Sequence, residues 1–372
     1  MGDRLLLAVE SSCDESAVAL VRGGEVVLVE RVASQTAKHA PFGGVIPEVA
    51  AREHHAWVPR LLDEVMHEAQ RIGVAGDIAG VAVTTGPGLV GSLLVGAGVA
   101  SGWAWGRSLP LLPVNHLEGH LRAAWLRSDP HALAPTLPAI GLVVSGGHTL
   151  LVRIAADGAI ERLGGTIDDA AGEAFDKIAR LLGLPYPGGA ALSALAATLP
   201  RGTAVAPLPI ADVDGPYDFS FSGVKTAAIR RALAASGQSD RTPGRAATLT
   251  RHFAEHPLPK GAAAEIGAAT EQAIVGALRA AVARALRAHP ECSLIVGGGV
   301  AANVPLRTAM AEVASAERRT LVVPPATWCT DNAAMIGAAG EWLLRDRRGE
   351  FQDPSLGLDV HAQWRIGSAV PA

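Results

Sequence analysis

The chain has 372 residues, of which 49% are hydrophobic and 18% are charged, and this composition excludes an intrinsically disordered protein. Its formal net charge of −4 gives no support for nucleic-acid binding through overall charge, although local basic clusters could form a basic face. The three cysteines, Cys13, Cys292 and Cys329, are odd in number and widely spaced. A disulfide framework is therefore not expected, and a reducing cytoplasmic location fits better.

The first predicted elements are three short strands followed by a helix. The stretch "RLLLAVESSCDESAVALV" is an apolar run, a polar turn and a second apolar run, and two glycines then lead into "EVVLVE". Such breaks between apolar runs are typical of hairpins. Residues 47–65 have apolar positions at helical spacing, which predicts a helix.

The next segment, residues 78–106, has no charged residue and is long enough to span a bilayer. It contains Pro87 and many glycines, and "VAVTTGPG" is typical of a strand that ends in a turn. The following "LVGSLLVGAGVASGWAWG" indicates a helix of small residues. We therefore predict a buried strand and a closely packed core helix, and no membrane association.

The opening pattern then returns in the second half of the chain. "AIGLVVSGGHTLLVRIA" is again a strand, a small polar turn and a strand, "AIERLGG" follows it, and "SLIVGGGVAANVP" is a further strand with a glycine-rich end. Residues 170–182 and 263–288 have helical spacing. This repetition predicts two related α/β lobes whose glycine-rich turns face a shared cleft and could bind phosphate oxygens through backbone N–H groups.

Two histidine pairs have the four-residue spacing that places both imidazoles on one face of a helix. His116 and His120 in "PVNHLEGH" follow an apolar strand, and strand ends that face a cleft are where α/β proteins bind ligands. A zinc protease needs a glutamate directly after the first histidine, but Glu118 comes two residues later and faces away from a shared metal ion. The second pair, His252 and His256, lies in a loosely composed segment and is the weaker candidate.

A third candidate ligand lies in "PPATWCTDNAAMIGAAG", where a strand ends and a helix begins. Thr330, Asp331 and Asn332 form an ordinary helix-capping signature, so capping alone is one interpretation. The other is that a carboxylate here completes the histidine pair. Two histidines and one carboxylate favour Fe(II) or Zn(II).

The stretch "GGTIDDAAGEAFDKIARLLGLPYPGG" predicts an amphipathic helix that ends at Gly183. Its polar face contains the i,i+4 pairs Glu173–Lys177 and Asp176–Arg180, so a solvated surface is one interpretation of these charges. A tight loop, "PYPGG", follows the helix.

Taken together, these motifs resemble the TsaD family of tRNA threonylcarbamoyladenosine transferases. The matching stretches occur in family order over residues 8–340: "AVESSCDESAVAL", "TTGPGLVGSLLVG", "NHLEGH", "VVSGGHT", the stretch 164–189, "DFSFSGVKTA", "GGGVAANVPLR" and "PPATWCTDNAAMIGAAG". The resemblance implies the actin-like ATPase fold. We expect an N-terminal lobe of residues 1–118 plus 332–372, a C-terminal lobe of residues 119–331, and a loose surface insertion at about 234–262.

The resemblance also implies roles for individual residues. His116, His120 and Asp331 match the family's metal ligands, with Fe(II) favoured and Zn(II) as the alternative. Residues matching the family's contacts to an adenylate-type ligand (threonylcarbamoyl-AMP, ATP or ADP) are Val143, Val144, Ser145, Gly146, Gly147, Asp176, Gly189 and Asn303. The family transfers a threonylcarbamoyl group from threonylcarbamoyl-AMP to N6 of adenosine 37 in tRNAs reading codons that start with A. Its bacterial members act with TsaB, a paralogue of the N-terminal lobe, and with the small ATPase TsaE.

The amine acceptor in such a reaction is weakly nucleophilic, so a general base would help. Asp14 and Glu15 in the first turn are candidates, with turn formation as the alternative, and Lys225 could neutralise charge. A small-molecule kinase or ATPase of the same superfamily is the competing function. The position of Glu118 argues against a metalloprotease.

Overall fold

Two five-stranded sheets with the same strand order form the frame of the molecule. The structure is a computed structural model and describes residues 3–127, 134–200, 202–237, 246–346 and 348–369. The strands are β1 (Leu5–Glu10), β2 (Glu15–Arg22), β3 (Val26–Ser34), β4 (Ile78–Gly86), β5 (Leu111–Asn115), β6 (Ala139–Val144), β7 (Thr149–Ile154), β8 (Ile160–Gly165), β9 (Ser293–Gly297) and β10 (Leu321–Val322). The first sheet has the order β3-β2-β1-β4-β5, and the second, read in the same direction, has the order β8-β7-β6-β9-β10.

Each sheet begins with an antiparallel three-stranded meander and continues with two strands parallel to the first strand of that meander. Short polar turns are sufficient for the antiparallel connections, whereas parallel neighbours need a crossover, normally through a helix. The duplicated α/β lobes predicted from the sequence are therefore confirmed. The carboxyl ends of β1, β4 and β5 lie side by side in the first sheet.

The crossovers and the outer layers are helical. Among the described residues the helices are α1 (Thr36–His39), α2 (Pro47–Arg71), α3 (Val90–Trp105), α4 (His116–Arg122), α5 (Ala171–Leu181), α6 (Gly188–Ala196), α7 (Ser222–Ala235), α8 (Ala246–Glu255), α9 (Lys260–Ala288), α10 (Val304–Ala316) and α11 (Ala333–Arg345). The uncharged segment 78–106 forms β4 and α3, as predicted. No helix in the described ranges has both the length and the hydropathy that crossing a membrane requires.

The hydrophobic core has separate parts on either side of the sheets. Helices α2 and α3 cover one face of the first sheet, and α11 covers the other. The largest cluster lies between the second sheet and the helices of the second lobe. A further cluster joins α4 to β6 and β7, between the two sheets. The packing of α11 on the first sheet supports the expected assignment of residues after 331 to the N-terminal lobe, but the lobe boundaries stay a prediction.

The segment 234–262, predicted as a loose insertion, is partly regular. It contains α8, whose Leu249 and Phe253 are buried in the core of the second lobe, and the beginning of α9. Residues 238–245 of this segment lie outside the described residues. Leu249 and Phe253 have the four-residue spacing of a helix face, but two apolar residues in an Ala- and Arg-rich segment were too weak a pattern to predict a packed helix.

Candidate metal centre and adenylate cleft

The histidine pair lies on α4, which begins directly where β5 ends. Asn115, the last residue of β5, caps the helix because its Oδ1 accepts a hydrogen bond from the backbone N–H of Leu117 at 2.9 Å. His116 and His120 are 5% and 0% exposed, and their ring centroids are 4.6 Å apart. The short helix therefore presents both imidazoles to one buried point.

Asp331 reaches the same point from the loop before α11. Its Oδ1 lies 3.5 Å from Nε2 of His116 and 3.2 Å from Nε2 of His120, and the three ligand atoms are within 4.8 Å of one another. The neighbouring Asn332, not Asp331, caps α11 by accepting from the N–H of Met335. Of the two interpretations of Asp331, helix capping is therefore excluded.

The distances and the hydrogen bonding fit a metal ion. Ligand atoms about 2.1 Å from one ion lie about 3.0–3.4 Å apart. The two separations between Asp331 and the histidines, 3.5 and 3.2 Å, are close to this range. Both ring nitrogens of His120 are buried. Nδ1 has no hydrogen-bond partner among the described residues, and the approach of Oδ1 of Asp331 to Nε2 at 3.2 Å is not aligned as a hydrogen bond. Buried polar atoms without partners are costly, and coordination of an ion by Nε2 would satisfy one of them. Among the described residues, no other group of three His, Cys, Asp or Glu side chains has such geometry.

Glu10, which was not predicted as a site residue, orients His116. Its Oε2 lies 3.1 Å from Nδ1 of His116 and also accepts a hydrogen bond from Oγ1 of Thr84 at 2.6 Å, while Oε1 accepts from the N–H of Ser12. In the neutral ring, a carboxylate that accepts the Nδ1 proton selects the tautomer whose Nε2 is free to bind an ion. The sequence signal was a charged residue at the end of an apolar strand, in "LLLAVE".

The charges in this cluster depend on one another. Burial lowers the pKa of His116, but the carboxylates of Asp331 and Glu10 outweigh it and raise that pKa to about 9. Burial would raise the pKa of Asp331, but the two histidines hold it well below its usual range. His148, in the turn after β6, is close enough that burial and the other histidines lower its pKa to about 4. His148 is therefore neutral at pH 7. It was not predicted as a site residue, although it is close enough to interact with these charges.

Glu118 faces away from the cluster, as its position in the sequence predicted. Both of its carboxylate oxygens accept hydrogen bonds from Arg348, at 3.2 and 2.9 Å. It therefore cannot act as a general base at the metal centre. The second histidine pair does not belong to this group of candidate ligands. The ring of His252 on α8 stacks with that of His256, just after the helix, with centroids 4.9 Å apart.

Asp14 lies in the turn between β1 and β2, and Glu15 is the first residue of β2. Asp14 is buried, and the half-buried Glu15 accepts a hydrogen bond from Oγ of Ser34 at 3.1 Å. Burial, together with the charges of Asp14 and Asp331, raises the pKa of Glu15 to about 9. Because Asp331 contributes to this shift, the turn lies near the candidate metal ligands.

The turn after β6 contains the predicted adenylate contacts. Val143 and Val144 end the buried strand, and the turn closes when the N–H of Ser145 donates to the carbonyl of His148 at 2.8 Å. Gly146 and Gly147 are exposed, and a side chain at either position would meet open space. Their backbone is therefore accessible from the cleft.

Asp176 and Gly189 are brought together at the start of α6. Oδ1 of Asp176 accepts from the N–H groups of Gly188 at 2.7 Å and Gly189 at 3.3 Å. Burial raises the pKa of Asp176, and the nearby Asp14 adds to this effect. Asp176 thus binds the glycine loop, whereas Arg180, its expected i,i+4 partner, donates to the carbonyl of Gly43 in the first lobe.

Asn303 and Lys225 are already engaged with protein groups. Asn303 caps α10 through Oδ1, and its Nδ2 donates to Ser193 and Glu271, each at 2.8 Å. A nucleotide contact through this amide N–H would have to replace one of these bonds. Lys225 donates to Asp169 at 2.7 Å.

Comparison with known proteins identifies the family of the chain. The family model described as "TsaD: tRNA N6-adenosine threonylcarbamoyltransferase" matches residues 26–338. Relatives with that name include those of Enterococcus faecalis (44% identical, covering 96% of this chain and 94% of the relative), Geobacter sulfurreducens (42%, 97% and 97%) and Anaeromyxobacter dehalogenans (45%, 97% and 99%).

Similar solved structures show the fold. HypF from T. kodakarensis has a TM-score of 0.57 at 13% identity and covers 93% of this chain and 48% of that chain. A full-length HypF in its phosphate- and nucleotide-bound form has a TM-score of 0.54 at 12% identity, covering 91% and 46%. The architecture is that of the actin-like ATPases. With the family match over most of its length, the chain belongs to the tRNA N6-adenosine threonylcarbamoyltransferase family, TsaD.

Proposed function

We propose that His116, His120 and Asp331 bind one divalent metal ion, and that at this centre the chain carries out its family's reaction on tRNA. The reaction moves a threonylcarbamoyl group from threonylcarbamoyl-AMP to N6 of adenosine 37 in tRNAs reading codons that start with A. The observation that carries the proposal is the convergence of three ligand atoms on one point, from two buried histidines and from the partly exposed Asp331 of a distant segment.

The donor set favours Fe(II), with Zn(II) as the alternative, because both accept two imidazoles and one carboxylate with open positions. When bound, such an ion supplies Lewis acidity to a carbonyl oxygen. The protein's own contribution is to fix the ligands: Glu10 holds the tautomer of His116, and Asn115 fixes the start of α4.

The glycine-rich turns support an adenylate site next to the metal. The exposed backbone of residues 146 and 147 and the Asp176–Gly189 loop lie on the second lobe, and Asp14 is close enough to Asp176 to raise its pKa. Backbone N–H groups in such turns bind anionic oxygens and would stabilise the growing charge on the AMP leaving group. The HypF structure of the same fold was obtained with phosphate and nucleotide bound, in line with this assignment.

The transfer forms a bond from N6 to the carbamoyl carbon and breaks the bond from that carbon to the phosphate oxygen, so AMP leaves and N6 loses a proton. Asp14 and Glu15 are the candidate acceptors of this proton. A pKa of about 9 keeps Glu15 mainly protonated at neutral pH, which leaves Asp14 as the better candidate.

Partners remain a proposal based on family membership. A TsaB-like paralogue of the N-terminal lobe and a TsaE-like ATPase are the expected ones. Because tRNA phosphates are bound mainly by positive charge and this chain has a net charge of −4, we propose that a partner supplies part of the tRNA-binding surface. Co-purification of the tagged chain with each candidate tests this assignment.

The reaction itself is tested by incubating the chain and its partners with labelled threonylcarbamoyl-AMP and unmodified tRNA. Label should appear on tRNA and be absent when adenosine 37 is replaced by guanosine. His116→Ala should abolish transfer, and His252→Ala, which removes a histidine of the same spacing from α8, should not. Absence of label on tRNA with the unmodified chain would exclude the proposed reaction.

A further inference from the structure

The last described residues of the chain, 351–369, form an irregular segment with one short 3-10 helix, Pro354–Leu356, and we call it the C-terminal strap. It lies beyond residue 338, where the match to the family model ends. The strap begins at the free edge of the first sheet. Gln352 and Leu111 of β5 exchange two backbone hydrogen bonds, at 2.9 and 2.6 Å, so the strap adds one antiparallel bridge to that edge.

The strap then crosses the carboxyl ends of β4 and β5, next to the metal centre. The N–H of His361 donates to the carbonyl of Thr85 at 2.7 Å, and the N–H of Gly88 donates to the carbonyl of Ala362 at 3.4 Å. The backbones approach so closely here that a Cβ at Gly86 would overlap the carbonyl oxygen of His361.

The strap contacts the residue that precedes the first metal ligand. Nδ2 of Asn115 donates to the carbonyl oxygen of Trp364 at 3.3 Å, while Oδ1 of the same amide caps α4. Both ends of the Asn115 side chain are therefore used, one for the strap and one for the helix that carries His116 and His120. This amide cannot rotate without losing both bonds.

Two buried side chains anchor the strap. Trp364 is 4% exposed, and Ile366 is 7% exposed and packs in the cluster that includes Leu117 and Leu121 of α4 together with β6 and β7. The intervening Gln363 and Arg365 are exposed. The next residue, at position 367, lies against the carbonyl of Ile160 in the second lobe, so the strap contacts both lobes.

We propose that the C-terminal strap positions the metal-binding helix, and that Trp364 is a positioning residue that acts through Asn115. A metal site binds tightly only when its ligands are held in place by the groups behind them. Glu10 supports one side of His116, and the strap supports the start of α4. The proposal rests on the proposed metal centre and adds a supporting element that sequence motifs of the site do not include.

Metal affinity of the folded, full-length chain tests the proposal. The metal-free protein is titrated with Co²⁺, and binding is followed by visible absorption. Trp364→Ala should weaken Co²⁺ binding about 10- to 100-fold, the range typical for lost outer-shell support. Gln363→Ala, which alters the adjacent exposed position, should bind as the unchanged chain does. Equal affinities for the Trp364→Ala variant and the unchanged chain would overturn the proposal.

Asn115→Asp provides the second variant, in case removal of Trp364 prevents folding. It keeps an oxygen for the N–H of Leu117 but has no N–H for the carbonyl of Trp364. An added negative charge beside the site would by itself favour a cation, so weaker Co²⁺ binding has to come from the lost strap contact. Unchanged or tighter binding in Asn115→Asp would contradict the strap's role.

The failure of the strap proposal and the failure of the metal proposal are distinguishable. If His116→Ala retains full Co²⁺ affinity, the metal centre itself is wrongly assigned. If His116→Ala loses Co²⁺ while Trp364→Ala and Asn115→Asp both keep it, only the strap proposal fails.

Discussion

Replacement of Glu10 by glutamine tests how the protein holds its first metal ligand. Glu10 is fully buried and accepts three hydrogen bonds, from the N–H of Ser12, from Oγ1 of Thr84 and from Nδ1 of His116. A glutamine has the same shape, but its oxygen can occupy only one of the two carboxylate positions. If that oxygen keeps the N–H of Ser12, an NH₂ group faces Thr84 and His116.

The Thr84 hydroxyl can rotate to accept a hydrogen bond from this NH₂ group. A protonated Nδ1 of His116 is itself a donor and cannot accept one. The Nδ1 proton of His116 would then have only the hydroxyl of Ser12, 3.1 Å away, as an acceptor. The tautomer with its proton on Nε2, the nitrogen that faces Asp331 and is needed for the metal, would therefore be favoured more than in the unchanged chain. Loss of such an outer-shell carboxylate lowers metal affinity about 10- to 100-fold, which corresponds to about 1.4–2.7 kcal/mol. We expect transfer activity at limiting metal to fall by the same factor.

The assay is competition for the metal between the purified chain and a chelator of known affinity. Glu341→Gln is the matched control, because Glu341 is an equally buried carboxylate of the first lobe, but its ion-pair partners are Arg4 and Arg345. Glu341→Gln should lower stability and leave metal affinity unchanged. Equal metal affinity in Glu10→Gln and the unchanged chain would refute the tautomer argument.

Two further predictions concern the second lobe. Gly298 has a φ of +94°, and a Cβ there would overlap the carbonyl oxygen of Val144, so Gly298→Ala should lower the free energy of unfolding by at least about 1–3 kcal/mol. Gly299→Ala, which meets open space, should change it little; equal urea midpoints for the two variants would contradict this. Burial raises the pKa of Asp169, but its ion pairs with Lys177 and Lys225 outweigh burial and lower that pKa. These ion pairs therefore contribute to the free energy of unfolding at neutral pH, and the contribution is lost as pH falls below about 4. Asp169→Asn should therefore cost about 1–2 kcal/mol at pH 7 and progressively less in acid, and a cost independent of pH would exclude the ion pairs as its source.

Local pattern was sufficient to predict the lobes and the histidine pair. Each lobe opens with apolar runs of strand length around a short polar turn, and hairpins form between neighbours in sequence. The four-residue spacing of His116 and His120 is likewise a local property of a helix. Contacts between residues far apart in the sequence could not be predicted from local pattern. The meeting of Asp331 with the pair depends on how α11 packs on the first sheet. The local pattern offered it only as one of two interpretations, and the family resemblance favoured it.

Glu10 and the strap were missed for the same physical reason. Glu10 reaches His116 and Thr84 because β1, β4 and β5 are neighbours in the sheet, and their register sets which side chains meet. In the strap, the contact to Asn115 is made by a backbone carbonyl, which has no signature in the sequence. Both features belong to the support of the site rather than to its ligands.

The most direct test of the metal centre is anomalous diffraction at the iron and zinc absorption edges from crystals of the metal-loaded chain. We predict one peak at bonding distance from Nε2 of His116, Nε2 of His120 and an oxygen of Asp331. A fully occupied peak elsewhere on the chain, with none between these three side chains, would contradict the proposed centre.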